Sequence, residues 1–299
     1  MTGTLTRSAL GQLARQEIAN YARSKLFWFG TLLTAVVAVL GVLGRSDVRG
    51  RTALDGLAPG LTLGVLGIVV MAGLVRRSDR AAEAAGAVAV PERTRTLALA
   101  AATVVPLTVA LGWWAAAAYG YLAYDRSADS TFEATPDALV LGVLFAQGVV
   151  AAVGGPLLGL VLARWLPQRW TPPIAAVAVV VVSLFMNGDQ AWTTSWREVW
   201  LWTHFHGPIG TAVGSAPGDD PMRWGVLTGS VFWYVGYLLA LCALGVLFAV
   251  FHDREQDRTR LTRAGLGVLG AAVLLCVLAV TGGEPDIVYN PLPSPEATG

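Results

Sequence analysis

Residues 75–100 decide how this chain is organised, because they interrupt its hydrophobic runs with charge: VRRSDRAAEAAGAVAVPERTRTLALA. The segment carries five arginines and three acidic residues between two long apolar stretches. Charged side chains are costly inside a bilayer. We therefore expect a connection outside the hydrocarbon that joins two membrane-spanning helices.

The apolar stretches are long enough to cross a membrane several times. Hydrophobic residues make up 55% of the chain and charged residues 14%, with a mean hydropathy of +0.57. A spanning helix needs roughly 17 to 25 apolar residues. Seven segments approach this length, of which the fifth is the shortest: 27–44, 57–75, 96–123, 138–163, 172–187, 226–251 and 264–281. The sequence thus predicts an all-α, polytopic transmembrane bundle of six or seven spans, with a transmembrane domain over residues 27–281.

The basic residues are distributed unevenly between the connections. With a cytoplasmic N-terminus, fifteen of the 21 arginines and lysines fall in inner segments and six in outer segments. Cytoplasmic connections are enriched in Lys and Arg. This bias predicts a multi-pass protein of the bacterial inner membrane with its N-terminus in the cytoplasm. Seven crossings then export the C-terminus.

The segment before the first span, residues 1–26, has helical spacing of apolar residues at Leu10, Leu13, Ala14, Ile18 and Tyr21. Polar side chains occupy the rest of the helical wheel. This pattern is typical of an amphipathic helix lying on the inner membrane surface. A soluble basic tail is the alternative.

Two outer regions are polar. Residues 188–225 contain tryptophans at four-residue spacing, which favours an interfacial or re-entrant segment. His204 and His206 form an HxH pair in this region, but no third ligand is nearby in the sequence, so we expect interfacial anchoring and not a metal site. The tail, residues 282–299, is acidic and proline-rich and has no Lys or Arg. Such a composition predicts an exported, disordered end.

Several kinds of chemistry lack their required residues. The single lysine, Lys25, has no glycine-rich phosphate loop before it, and the HExxH and GxSxG motifs are absent. We therefore predict no enzymatic activity, no cofactor bound by this chain and no nucleic-acid partner. The seven predicted spans also contain no Asp, Glu, Lys, Arg or His, which disfavours an ion-coupled transporter.

A few small or polar residues lie within or beside the predicted spans. Gln147, Asn187 and Thr228 are candidates to line a pathway, although hydrogen bonding between helices is the more ordinary use of such side chains. Glycines recur at four-residue spacing in GPLLG (Gly155, Gly159) and GVLTG (Gly225, Gly229). That spacing favours close packing of helices.

The charged segment itself predicts a short helix. Ser78 and Asp79 can accept hydrogen bonds from free N–H groups at a helix start, alanines favour the helix, and Gly86 provides a stop. Pro91 then begins the next helix, with Glu92 in its first turn. We expect the short helix to lie roughly parallel to the membrane. A solvated loop that merely obeys the positive-inside rule is the alternative.

This layout resembles the permease subunits of type-two bacterial ABC exporters over roughly residues 10–251. The stretch RQEIANYARSKLFWFG is similar to that family's elbow helix running into span one. RRSDRAAEAAGAVAVPERTRTLALA is similar to its charged loop between spans two and three. A seventh span and an outer C-terminus depart from the usual six.

The resemblance implies a transport subunit without its own ATPase site, forming a translocation pathway for export. Its partners would be separate ABC ATPase subunits that bind ATP and Mg, a second permease copy or paralogue, and the lipid membrane. The loop over residues 76–95 would contain a coupling helix that contacts the ATPase. The residues assigned to this coupling role are Arg77, Asp79, Arg80, Glu83, Glu92 and Arg93. A non-transporting accessory or immunity subunit is the rival function, and an intramembrane enzyme ranks third.

The topology can be tested by cysteine accessibility. A Gly299→Cys variant should react with a membrane-impermeant thiol reagent added outside intact cells, and a Thr2→Cys variant only after permeabilisation. The parent chain, with Cys242 and Cys276 inside predicted spans, supplies the background. Labelling of Gly299→Cys only after permeabilisation would remove one crossing.

Overall fold

The computed structural model describes eight stretches of the chain: residues 2–44, 58–84, 90–123, 137–188, 224–226, 230–253, 257–282 and 287–289. Within them the structure is almost entirely helical. The first half contains α1 (Thr2–Ala22), α2 (Lys25–Gly44), a π-helical turn (Gly60–Gly64) continuing into α3 (Val65–Ala84), α4 (Glu92–Ala101) and α5 (Val104–Ala123). The second half contains α6 (Asp137–Leu144), a π-helical turn (Phe145–Val150) continuing into α7 (Ala151–Trp165), α8 (Thr171–Gly188), strand β1 (Trp224–Val226), α9 (Val231–Phe251), α10 (Arg258–Thr281) and strand β2 (Ile287–Tyr289).

Five of the described helical stretches are long and apolar enough to cross a membrane: Gly60–Glu83, Glu92–Ala123, Leu141–Trp165, Val231–Phe251 and Arg258–Ala279. Two shorter apolar stretches, Lys25–Val37 and Thr171–Val182, lie in α2 and α8. Each of the seven predicted segments therefore lies mostly in helix among the described residues. The prediction of a membrane-embedded helical bundle is confirmed at this level, whereas the exact number of crossings stays a prediction.

The tightest contact in the bundle joins α3, with the π turn that precedes it, to α7. A Cβ atom on Gly155 would overlap with the backbone oxygen of Gly64, and one on Gly159 with that of Ile68. A Cβ on Gly64 would lie 2.8 Å from the backbone oxygen of Ala151. Without side chains at these positions, the two backbones touch directly, as in membrane helices that pack through small residues. The predicted packing role of the GPLLG glycines fits this contact.

The contact also fixes the relative direction of the two helices. Gly60 faces Gln147, Gly64 faces Ala151, and Ile68 faces Gly159, so residue numbers rise together along both helices. The helices are parallel and end on the same side of the bundle. The end of α9 joins them there through Trp165, whose ring stacks on Phe248 at 4.7 Å between centroids. We call this side, where α3, α7 and α9 end and α4 begins, the arginine-rich end.

The predicted separate coupling helix is not present in this form. Helix α3 continues unbroken from Val65 through Ser78 to Ala84, so the alanine-rich stretch extends the spanning helix and does not start a new one. The alanine, arginine and glutamate residues that follow Ser78 all favour helix. A single serine inside such a stretch does not end α3. The predicted stop at Gly86 lies outside the described residues. The next helix begins at Glu92, one residue later than predicted, and Pro91 is its N-cap residue instead of its first helical residue.

Two further boundaries differ from the expectation. Span six was predicted from residue 226, but α9 begins at Val231, and Trp224–Val226 instead form β1. This strand pairs antiparallel with Ile287–Tyr289. Three residues of the tail predicted to be disordered are therefore in a strand, beside the segment that precedes α9. Gly225 lies in β1 and not in a helix, whereas Gly229 lies outside the described residues.

Helix α1 uses the face predicted from the sequence. Leu10, Leu13, Ala14 and Ile18 are partly buried and Tyr21 is fully buried, whereas Arg15 and Gln16 are exposed. The helix packs mainly against α4. Burial raises the pKa of the Tyr21 hydroxyl. The amphipathic helix is thus held by the bundle, and its role as an elbow on the membrane stays a prediction.

The backbone contact between α3 and α7 predicts a sharp difference between two glycines. Gly155→Ala should lower the free energy of unfolding by about 1–3 kcal/mol, because the added methyl group forces the helices apart. Gly73→Ala, on α3 but with nothing within 4 Å of an added Cβ, should be neutral or slightly stabilising. Thermal unfolding of the two purified variants in detergent compares them directly. Equal stability of both variants would contradict the described contact.

Candidate functional site

Arg164, at the end of α7, is the centre of a cluster of ion pairs at the arginine-rich end. Its side chain is only 4% exposed. Nη1 donates to Oδ1 of Asp79 on α3 at 2.8 Å and lies 3.6 Å from Oε1 of Glu92 on α4. A buried guanidinium needs opposite charge and hydrogen-bond acceptors to offset its lost hydration. Arg164 therefore ties the ends of two other helices to α7.

Asp79 receives a second arginine from α4. Nη1 of Arg95 lies 3.2 Å from the same Oδ1 atom that Arg164 contacts. One carboxylate thus bridges two guanidinium groups from different helices. This bridge holds the last turns of α3 against the first turns of α4, although the connection between them runs through residues 85–89.

The start of α4 is capped by the end of α9. Pro91 provides no side-chain cap for this helix, and the backbone N–H of Arg93 instead donates to Oδ2 of Asp253 at 3.0 Å. Nδ1 of His252 lies 2.7 Å from Oε1 of Glu92. A carboxylate in the first turn is also favoured by the positive end of the helix dipole. The start of α4 is therefore fixed by two residues from another helix.

Helix α1 is attached through Glu17, which is largely buried. Oε2 of Glu17 accepts from Nη2 of Arg77 on α3 and from Nδ2 of Asn20, both at 3.2 Å. An acidic side chain is seldom buried without such partners. The pair gives α1 a polar anchor to α3 beside its apolar contacts.

The six residues predicted to contact an ATPase fall into two groups. Arg77, Asp79 and Glu92 form ion pairs within the chain. Arg80 and Glu83 are exposed near the end of α3, and Arg93 is exposed in the first turn of α4 while its backbone binds Asp253. Asp79, which was assigned to the ATPase contact, is therefore held by two internal arginines.

The structure describes the three predicted pathway residues to different extents. Gln147 lies in the π turn before α7 and is 1% exposed, and neither atom of its amide has a hydrogen-bond partner among the described residues. Asn187 lies in the last turn of α8, where its side chain is not among the described ones. Thr228 lies outside the described residues, as do His204 and His206.

Four members of the cluster were not among the predicted site residues: Glu17, Arg164, His252 and Asp253. The first charged residue after predicted span four is Arg164, and the first titratable residues after span six are His252 and Asp253. They lie where two helices that run in the same direction as α3 end. Glu17 occupies a position on the apolar face of α1, where burial of a carboxylate signals a partner. These two signals could have identified the cluster.

The cluster joins helices through ion pairs and hydrogen bonds. Among the described residues, no three His, Cys, Asp or Glu side chains are grouped as a metal site would require. Its carboxylates are each held by a cation or a donor from another helix. What the arrangement does chemically is to fix α1, α3, α4, α7 and α9 relative to one another at one end of the bundle.

Comparison with known proteins identifies no relative. No protein-family model matches the chain, and no curated protein or solved structure matches it significantly.

The ion-pair cluster predicts that two acidic residues on the same helix differ in importance. Asp79→Asn should destabilise the protein by about 1–3 kcal/mol, less than loss of a fully buried pair because the Asp79 side chain is partly exposed. Glu83→Gln, one turn later and exposed, should change stability by less than about 0.5 kcal/mol. Thermal unfolding in detergent measures both. A Glu83→Gln variant as unstable as Asp79→Asn would contradict the assignment.

Proposed function

We propose that the chain is the membrane-spanning permease subunit of an ATP-driven exporter, coupled to separate ATPase subunits that bind ATP and Mg. The observation that carries the proposal is the ion-pair cluster. It joins the ends of three parallel helices, α3, α7 and α9, to the start of α4. A displacement applied to this end is transmitted to several spanning helices together, as coupling to an outside ATPase requires.

The contact surface for the ATPase is the exposed end of α3 with the first turn of α4. Arg80 and Glu83 are exposed there, while Asp79 and Glu92 lie behind them in the internal ion pairs. The charges at this end therefore form two sets with different roles. The outer set meets the partner, and the inner set carries the displacement into the bundle.

The passage would be completed by a second permease chain, identical or paralogous, as the resemblance implies. Lipid or that second chain then covers the exposed apolar face of α2, which includes Trp28, Phe29 and Leu32. Movement of α3 away from α7 would expose Gln147 to the passage. This residue is the pathway position that the bundle keeps closed in the described conformation.

A non-transporting accessory or immunity subunit is the second candidate, and one observation favours it. Gly60 packs directly against the backbone of Gln147, whose side chain is buried, as expected of a static bundle. The two functions differ in whether substrate movement depends on ATP. Vesicles containing the chain and its ATPase partner distinguish them: export that needs ATP and survives an uncoupler supports the exporter.

An exchange of the exposed charges tests the contact surface. The double variant Arg80→Glu, Glu83→Arg keeps the net charge and leaves the ion-pair cluster intact. We expect at least a tenfold weaker association with the ATPase, because like charges then face each other across the contact. Co-purification of the ATPase and its stimulated ATP hydrolysis are the measurements.

Arg258→Glu is the control, since Arg258 is exposed at the start of α10 and outside the proposed surface. It should leave ATPase binding unchanged, and both variants should unfold at the wild-type temperature. If the charge exchange leaves association and transport unaltered, the proposed surface is wrong.

A further inference from the structure

A cavity of about 360 Å³ lies at the arginine-rich end, beside the ion-pair cluster. Its walls come from three elements: α1, the last turns of α3, and the segment from Val90 into α4. The polar residues in the described lining are Gln16, Glu17, Arg77, Ser78 and Arg95. The cavity plays no part in the contact surface proposed above, because neither Arg80 nor Glu83 lines it.

The charge that this cavity presents to a ligand is positive. The Arg77 side chain is 49% exposed and that of Arg95 is 21% exposed, whereas the Glu17 carboxylate is 9% exposed and already accepts two hydrogen bonds. Each arginine already pairs with one carboxylate, Arg77 with Glu17 and Arg95 with Asp79. Asp79 does not line the cavity, so the lining itself carries two guanidinium groups and one acid. Guanidinium binds phosphate strongly because its donors match the geometry of the phosphate oxygens.

The remaining wall of the cavity is apolar. Leu13 of α1, Ala81 and Ala82 of α3, and Val90 line it. Such a mixed lining suits a molecule with a charged head and a hydrocarbon part. The arginine distribution puts this end at the membrane surface, where phospholipid headgroups are the most abundant molecules of that kind.

We propose that this cavity binds a phosphate ester, supplied by the headgroup of a phospholipid in the adjoining leaflet. Arg77 and Arg95 contact the phosphate oxygens, Ser78 donates a hydroxyl hydrogen bond, and the apolar wall contacts the glycerol and the first methylene groups. Because its walls include α1 and the end of α3, a bound headgroup tethers α1 to the bundle. This site is independent of the proposed transport function and would be present in an accessory subunit as well.

Native mass spectrometry of the purified full chain tests the proposal, with phosphatidylglycerol, phosphatidylethanolamine and inorganic phosphate as probes. Arg77→Gln should reduce lipid retention about tenfold, the effect expected from losing one charged hydrogen bond. Arg80→Gln is the matched control, since it removes an equal charge three residues further along α3 and outside the cavity. It should retain lipid as the wild type does.

A second variant tests the volume of the cavity separately from its charge. Ala82→Phe fills the cavity and leaves every ion pair intact, so it should also lose the lipid while unfolding at the wild-type temperature. In another outcome, no lipid is retained, and inorganic phosphate raises the unfolding temperature of the wild type but of neither variant. That outcome would assign the site to free phosphate esters. Equal retention of lipid and an equal phosphate response in wild type, Arg77→Gln and Ala82→Phe would overturn the proposal.

Discussion

The direct backbone contact between Gly64 and Gly155 is the constraint on which the rest of the bundle depends. Once α3 and α7 touch along this line and run in the same direction, their ends lie side by side. Arg164 is then carried into reach of Asp79, and the ion-pair cluster follows from that placement. A larger residue at either glycine would separate the two helices, and the loss would extend beyond local packing to the contacts of α4 and α9.

Arginine at this end of the bundle serves two physical purposes. Under the predicted topology, exposed arginines such as Arg80 follow the general preference for positive charge on the cytoplasmic side. Arg164 is different, because its buried guanidinium is stable only while carboxylates from α3 and α4 accompany it. A buried ion pair contributes little net stability compared with an apolar pair, but it strongly disfavours arrangements in which one partner is missing. The cluster therefore specifies how the helices are arranged.

Hydropathy predicted the helices well, since each of the seven apolar segments lies mostly in helix among the described residues. It could not predict where α3 ends, because Ser78 and the following alanines fit both a new helix and a continued one, and the surrounding bundle decides between them. The sequence alone also could not predict which residue pairs with Asp79. Arg164 lies 85 residues away and reaches Asp79 only because two glycines elsewhere permit the close approach. Local patterns give helices, whereas pairs between distant residues require the packing.

The sealed amide of Gln147 has a consequence for the balance between conformations. Each buried polar atom without a partner disfavours the folded arrangement by about 1–3 kcal/mol, and neither amide atom of Gln147 has a hydrogen-bond partner within the part of the chain that the structure describes. A state in which α3 and α7 separate enough for the amide to find a partner recovers that free energy, at the expense of the glycine contact. The two effects oppose each other, so the closed bundle is less dominant than its close packing suggests.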